Sequence, residues 1–156
     1  MIKDFQNCWW LGERFTSLPY NPAVMTDDYV LSYEELYKKS FIAAGFLKAR
    51  GITAGSNAGI LYSHNYNYYI IINALWILGA VPVPLNVRNT AIEISIQLSN
   101  ADIKHVVLDE TNARNVSSLD NIAKIIFDAD NVQSLLTDEH YNIKINADDT
   151  ALIMII

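Results

Sequence analysis

Cysteine occurs once in the 156 residues, at Cys8, which excludes an internal disulfide framework and a multi-thiolate metal site. A lone thiol suits a reducing compartment, and in a loop it is a poor candidate nucleophile. Positive charge is also sparse: 11 Lys and Arg stand against 17 Asp and Glu, for a formal net charge of −6. The cations are scattered, so no basic stripe marks a nucleic-acid face. No apolar run of signal length follows a basic flank at the N-terminus. The longest apolar stretches, near 70–87 and 151–156, are too short or too broken by Asn73 and the prolines to span a bilayer. These exclusions lead to the expectation of a soluble, cytoplasmic protein. Phosphate-loop and dinucleotide glycine patterns are missing. His64, His105 and His140 have no companions at metal-ligand spacing. No catalytic residue and no metal site is assigned.

The chain does have the means to build a core. It is 51% hydrophobic and 11% aromatic, which suits one ordinary packed domain. The first thirty residues read as loop-rich, with short extended pieces at 23–25 and 29–31 around a Thr26-Asp27-Asp28 turn. Ser32 and Glu35 form a capping box that opens a helix over 33–50. Its exposed face offers Glu34–Lys38 and Glu35–Lys39 pairs, and Gly51 closes it. A buried strand over 58–62 follows. Then comes a helix over 66–78, apolar nearly all round and closed by Gly79. Residues 81–85 form an extended piece in which Pro82 and Pro84 limit ladder bonds. Thr90 and Glu93 make a second capping box for a helix over 91–100, and 105–108 is the next strand. The pattern weakens through 110–122, 124–127 suggests a short strand, and 129–147 is polar and loop-like.

This alternation of strands and helices implies right-handed crossovers, hence an α/β fold with a mainly parallel sheet flanked by helices. The apolar segment 151–156 reads as a buried strand whose sequence should continue. On that expectation, 1–156 is a single incomplete domain that exposes apolar surface and associates as a homodimer.

Several residues could carry chemistry. Ser63 and His64 can be drawn as a nucleophile and base, but adjacent residues on a strand point apart, and a polar strand-to-helix junction explains them better. Tyr62, Tyr66, Tyr68 and Tyr69 fit an aromatic pocket or the packing of the second helix. Arg88 is the one Lys or Arg between Arg50 and Lys104, on the loop between the proline-rich piece and a capped helix. Loops at the carboxyl ends of strands in such sheets bind ligands, so Arg88 is a surface cation or a phosphate or carboxylate contact.

Leu31-Ser32-Tyr33-Glu34-Glu35-Leu36 resembles the Leu-Thr-Tyr-x-Glu-Leu signature near the start of adenylate-forming enzymes. The run from Ala74 to Arg88 resembles their Ala-Leu-x-Lys-x-Gly-Ala-Val-x-Val-Pro-Leu-Asn-Pro-Arg motif. Glu93 falls where that family has its Glu-Leu, 103–109 resembles its next strand, and 148–155 resembles the strand entering its phosphate loop. The order and spacing of these pieces, over about 7–156, are more specific than any one of them. Asn7-Cys8-Trp9-Trp10-Leu11 and the Ala-Leu-Trp-x-Leu-Gly-Ala-Val run look most like the o-succinylbenzoate–CoA ligases of menaquinone biosynthesis. Departures are Ser56 for an aspartate, Ile77 or Leu78 for a lysine and Val87 for a proline.

The resemblance implies the N-terminal subdomain of the large domain of an acyl-CoA synthetase. The implied chemistry converts a small-molecule carboxylic acid to an acyl-adenylate and then to an acyl-CoA, using ATP, Mg²⁺ and CoA. It places the phosphate loop, the ribose-binding aspartate and the catalytic lysine beyond Ile156, so the 156 residues alone are expected to be inactive. It brings Asn86 and Arg88 near the CoA channel, with Arg88 against the nucleotide part of CoA. The alternatives are a fatty-acyl-CoA ligase, a carrier-protein-loading adenylation domain, or a non-enzymatic α/β interaction module.

Overall fold

The computed structural model describes residues 9–132 and 148–155. Cys8, His140, Ile156 and most of the expected 129–147 loop lie outside them. The elements run α1 (Trp9–Ser17), β1 (Pro22–Met25), β2 (Val30–Ser32), α2 (Tyr33–Lys48), β3 (Asn57–Leu61) and α3 (Tyr66–Ile77). They continue with β4 (Val81–Pro84), α4 (Ala91–Asn100), β5 (His105–Leu108), α5 (Glu110–Asn115) and β6 (Ala123–Ile126). β1 and β2 pair antiparallel, while the other four strands form a parallel sheet in the order β4-β3-β5-β6.

The helices begin and end where local chemistry dictates. Ser32 and Thr90 each accept from the backbone N–H three residues on, and Glu35 and Glu93 reach back to the cap N–H, so both capping boxes are complete. Gly79, at φ 70°, donates to Trp76 O at 3.0 Å while Ala80 donates to Leu75 O at 2.9 Å. This left-handed closure suits glycine. Gly51, at φ 96°, closes α2 in the same way, donating to Lys48 O while Ile52 donates to Leu47 O. The helix itself stops at Lys48, and Arg50 folds back with its guanidinium over the Phe46 ring.

Strand residues alternate between two cores, as a two-residue period requires. Ala58, Ile60, Tyr62, Val107 and Ile125 face α2 and α3, joining Leu36, Leu47, Ile70, Ile71 and Leu75. Leu61, Val83, Val106 and Leu108 face the other way, joining Ile94, Leu98 and Val116. Both faces are therefore covered, which is why the strands read as continuous apolar runs. Each buried aliphatic side chain contributes about 1.5–3 kcal/mol.

Three expectations need correction. The N-terminal region is not all loop: α1 forms because Leu11 is fully buried and Phe15 stacks on Tyr37 at 4.3 Å between centroids. These are tertiary contacts that the local sequence does not announce. Of the two ion pairs expected on α2, Lys38–Glu34 forms at 2.6 Å, but Lys39 turns to Asp130 at 3.6 Å because the Glu35 carboxylate serves its capping box. Residues 151–155 are assigned to no helix or strand and are only partly buried, so they are not the buried strand expected. Beside β4 they make one backbone bond to it, Ile153 N–H to Pro82 O at 3.1 Å, since prolines at 82 and 84 have no N–H to offer in return. Trp76 Nε1 donates to Ala151 O at 2.7 Å, Ile153 and Ile155 are half-buried, and Met154 is 74% exposed.

Candidate functional site

The sheet order sends the chain from β3 outward to β4 and then back across β3 to β5. The carboxyl ends of β3 and β5 therefore flank a topological switch point, the usual crevice for ligands in open α/β sheets. A cleft of about 590 Å³ lies there, walled by Phe46, Tyr62, Phe127 and Val132 and edged by Asp109, Glu110 and Asp128.

Tyr62 is buried and donates to Phe127 O at 2.7 Å. Burial, with the Asp128 and Asp109 carboxylates adding to it, pushes the Tyr62 phenol well above its ordinary range. Asp109 caps α5, accepting from Asn112 N–H at 2.8 Å, and also accepts from Ser63 N–H at 3.0 Å. Burial raises the Asp109 carboxyl, but these N–H donors outweigh it and hold the group below its ordinary value. Asn67 is buried and ties down the chain after β6: its Nδ2 donates to Asp128 Oδ1 at 3.3 Å, and its Oδ1 accepts from Ala129 N–H at 2.9 Å. With this acidic edge the cleft disfavours phosphates and carboxylates.

The expected tyrosine cluster is not one pocket. Tyr62 lines the cleft, and Tyr66 stacks on Tyr29 and donates to the Asp130 carboxylate. Tyr68 lies between His64 and Tyr69, with Tyr69 half in solvent. Ser63 and His64 are both exposed; the Ser63 N–H is held by Asp109 and the His64 ring faces Tyr68, an arrangement that does not make a nucleophile–base pair. Sequence reasoning missed Asn67, Asp109 and Asp128. The Leu108-Asp109 step at a strand end was the available signal for Asp109; the other two depend on which strands lie side by side.

The second candidate is the bridge from β4 to α4. Leu85 is buried and its N–H donates to Ile60 O at 2.9 Å. The chain then leaves the sheet in a turn. Asn86 Oδ1 accepts from Arg88 N–H at 3.0 Å, and Asn86 O accepts from Asn89 N–H at 3.0 Å. Thr90 then starts α4, its N–H donating to Glu93 Oε2 at 2.7 Å. That backbone bond, with the Thr90 hydroxyl second, holds the Glu93 carboxyl below its ordinary value. Arg88 is exposed, and among the described residues nothing pairs with its guanidinium. The structure thus brings Asn86 and Arg88 together, in one turn beside the N-terminus of α4, which the Glu93 carboxylate already caps.

The described residues do not form a site for Mg²⁺-ATP. Among them no group of three His, Cys, Asp or Glu is arranged to hold a metal ion, and the large cleft has the wrong sign for a triphosphate. No helix among them is long and apolar enough to cross a membrane.

The profile of the family described as "AMP-binding enzyme" matches residues 13–154. The chain belongs to that family. The 2-succinylbenzoate–CoA ligase of Listeria innocua is 33% identical over 109 residues, which cover 70% of this chain and 23% of that protein. The fatty acid–[acyl-carrier-protein] ligase ScoC of Streptomyces coeruleorubidus is 34% identical over 92 residues, 59% of this chain and 18% of that protein. Among solved structures, a Mycobacterium tuberculosis fatty acyl CoA synthetase superposes with a TM-score of 0.81 at 24% identity, covering 92% of this chain and 31% of that one. The o-succinylbenzoate coenzyme A synthetase of Bacillus subtilis, in complex with ATP and magnesium ion, gives 0.79 at 21% identity, covering 92% and 39%. These superpositions establish a shared fold: the parallel sheet of this AMP-binding family member is the N-terminal α/β architecture of those enzymes. The matched segment spans about a quarter of the length of the curated relatives, 23% for the Listeria innocua protein.

Proposed function

We propose that this AMP-binding family member forms the N-terminal subdomain of the large domain of an ATP-dependent acid–CoA ligase acting on o-succinylbenzoate in the cytoplasm. In that reaction the acid's carboxylate attacks ATP to give an acyl-adenylate and pyrophosphate, and the CoA thiol then displaces AMP. The observation that carries the reading is the 33% identity to a 2-succinylbenzoate–CoA ligase over 109 residues. The motif run from Ala74 to Arg88, in the order expected of the family, adds to it.

In this reading 1–156 is one incomplete subdomain. Its contribution is a rigid parallel sheet and an anion contact at Arg88 for the nucleotide part of CoA. The acidic cleft at the switch point does not handle nucleotide. The parts that hold Mg²⁺-ATP lie in the segments that follow the 148–155 match in the family pattern.

A fatty-acid substrate is the second reading, favoured by the 34% identity to ScoC. The test is thioester formation by the gene product carrying this chain, supplied with ATP, Mg²⁺, CoA and either o-succinylbenzoate or a medium-chain fatty acid. Turnover of o-succinylbenzoate supports the first reading, and turnover of the fatty acid alone replaces it with the second. The 156-residue chain by itself is expected to release no more pyrophosphate than a heat-killed control.

A further inference from the structure

Asn86 sits where a ligand contact is expected, yet its side-chain oxygen is already engaged. Oδ1 accepts from the Arg88 N–H at 3.0 Å, and the main-chain oxygen of the same residue accepts from Asn89 N–H at 3.0 Å. One residue therefore closes the turn twice. The bridge is fixed on both sides of it: Leu85 is buried and bonded to Ile60 O at 2.9 Å, and Thr90 is locked by its capping box. The segment 86–89 is the part that remains to be set, and Asn86 sets it. Few side chains can do so. Asn and Asp reach the backbone two residues on, and Ser does so more weakly.

Arg88 needs such support. Its guanidinium is exposed and has no partner among the described residues, so where it reaches depends on where the turn places its Cα. Holding a binding group in place before the ligand arrives lowers the ordering cost of association.

We propose that Asn86 is a positioning residue that acts through Arg88, aiming the guanidinium at the phosphate-bearing end of the thiol substrate. This rests on the reading of Arg88 as the contact for the nucleotide part of CoA.

The test compares CoA with pantetheine, a thiol acceptor without the nucleotide phosphates, in the gene product carrying this chain. R88A is expected to raise KM for CoA about tenfold relative to KM for pantetheine, and N86A about threefold in the same ratio. N86S should recover part of the N86A loss because its hydroxyl can still accept from the Arg88 N–H. N86A/R88A should be no worse than R88A, since Asn86 has no separate contact to lose. A general structural fault would raise both KM values and leave their ratio alone.

An unchanged ratio in R88A overturns the reading of Arg88 and the proposal with it. A changed ratio in R88A with none in N86A overturns the proposal alone. Additive losses in the double variant do the same, by showing that Asn86 meets the ligand itself. A second measurement needs no catalysis. In the 156-residue chain, amide exchange at Arg88 should be slow in the wild type, faster in N86A and intermediate in N86S; equal rates in the wild type and N86A overturn the proposal.

Discussion

The phenol of Tyr62, one residue past β3, donates a 2.7 Å hydrogen bond to the carbonyl oxygen of Phe127, one residue past β6. These two strands are not neighbours; β5 lies between them. The bond therefore spans the switch point and fixes the exits of two strands relative to each other. Both residues are buried, although both also wall the cleft.

Y62F should destabilise the chain by about 1–3 kcal/mol, because it leaves the Phe127 carbonyl buried and unpaired. Urea unfolding is the measurement, with a lower midpoint at unchanged slope as the expected result. An unchanged midpoint would mean that water reaches the carbonyl.

Asn67 should matter locally as well as globally. N67A removes the donor to Asp128 and the acceptor for Ala129 N–H together. Hydrogen exchange at Ala129 should accelerate in N67A more than exchange in β3 or β5, reporting release of the chain after β6. Uniform acceleration across the sheet would assign Asn67 to general stability instead.

The anchoring of α1 rests on Leu11, which is fully buried. L11A should cost about 2–5 kcal/mol if the helix stays docked around the cavity. If α1 instead detaches, the loss is smaller and amide protection disappears from α1 while α2 and α3 keep theirs. E13A, on the exposed side of the same helix, should change the midpoint little.

Stability should fall at both ends of the pH scale, for opposite reasons. Tyr62 and Tyr66 are both raised, by burial first, so the folded protein keeps protons that an unfolded tyrosine releases near pH ~10. Their contribution is complete below that pH and is lost as pH rises beyond it. Y62F/Y66F should flatten the alkaline limb of a pH–stability curve.

Asp109 is lowered despite its burial, so its contribution is present above the unfolded value of about 3.9 and is lost as pH falls through the lower folded value. D109N keeps an acceptor for the cap but removes the titration. A steep acid limb that survives D109N would transfer the effect to Glu35 and Glu93, which their capping boxes also lower.

The sequence alone determined those features whose causes lie within a few residues. Both capping boxes, the glycine closures at Gly51 and Gly79, and the helices α2, α3 and α4 were legible because their hydrogen bonds join residues two to five apart. The parallel α/β class was legible too, since strands separated by helices leave little other choice. The motif order from Leu31 to Arg88 likewise marked the family.

What tertiary structure alone decided has its cause far along the chain. The helix at Trp9–Ser17 depends on a stacking partner at Tyr37. The order β4-β3-β5-β6, and so the location of the switch-point cleft, depends on pairings that no local pattern encodes. Residues 151–155 had the apolar composition of a strand but met an edge whose prolines could not complete a ladder. At Asn86 only the geometry of the turn shows what the side-chain oxygen does, since that atom can serve the backbone or a ligand and here accepts from the Arg88 N–H.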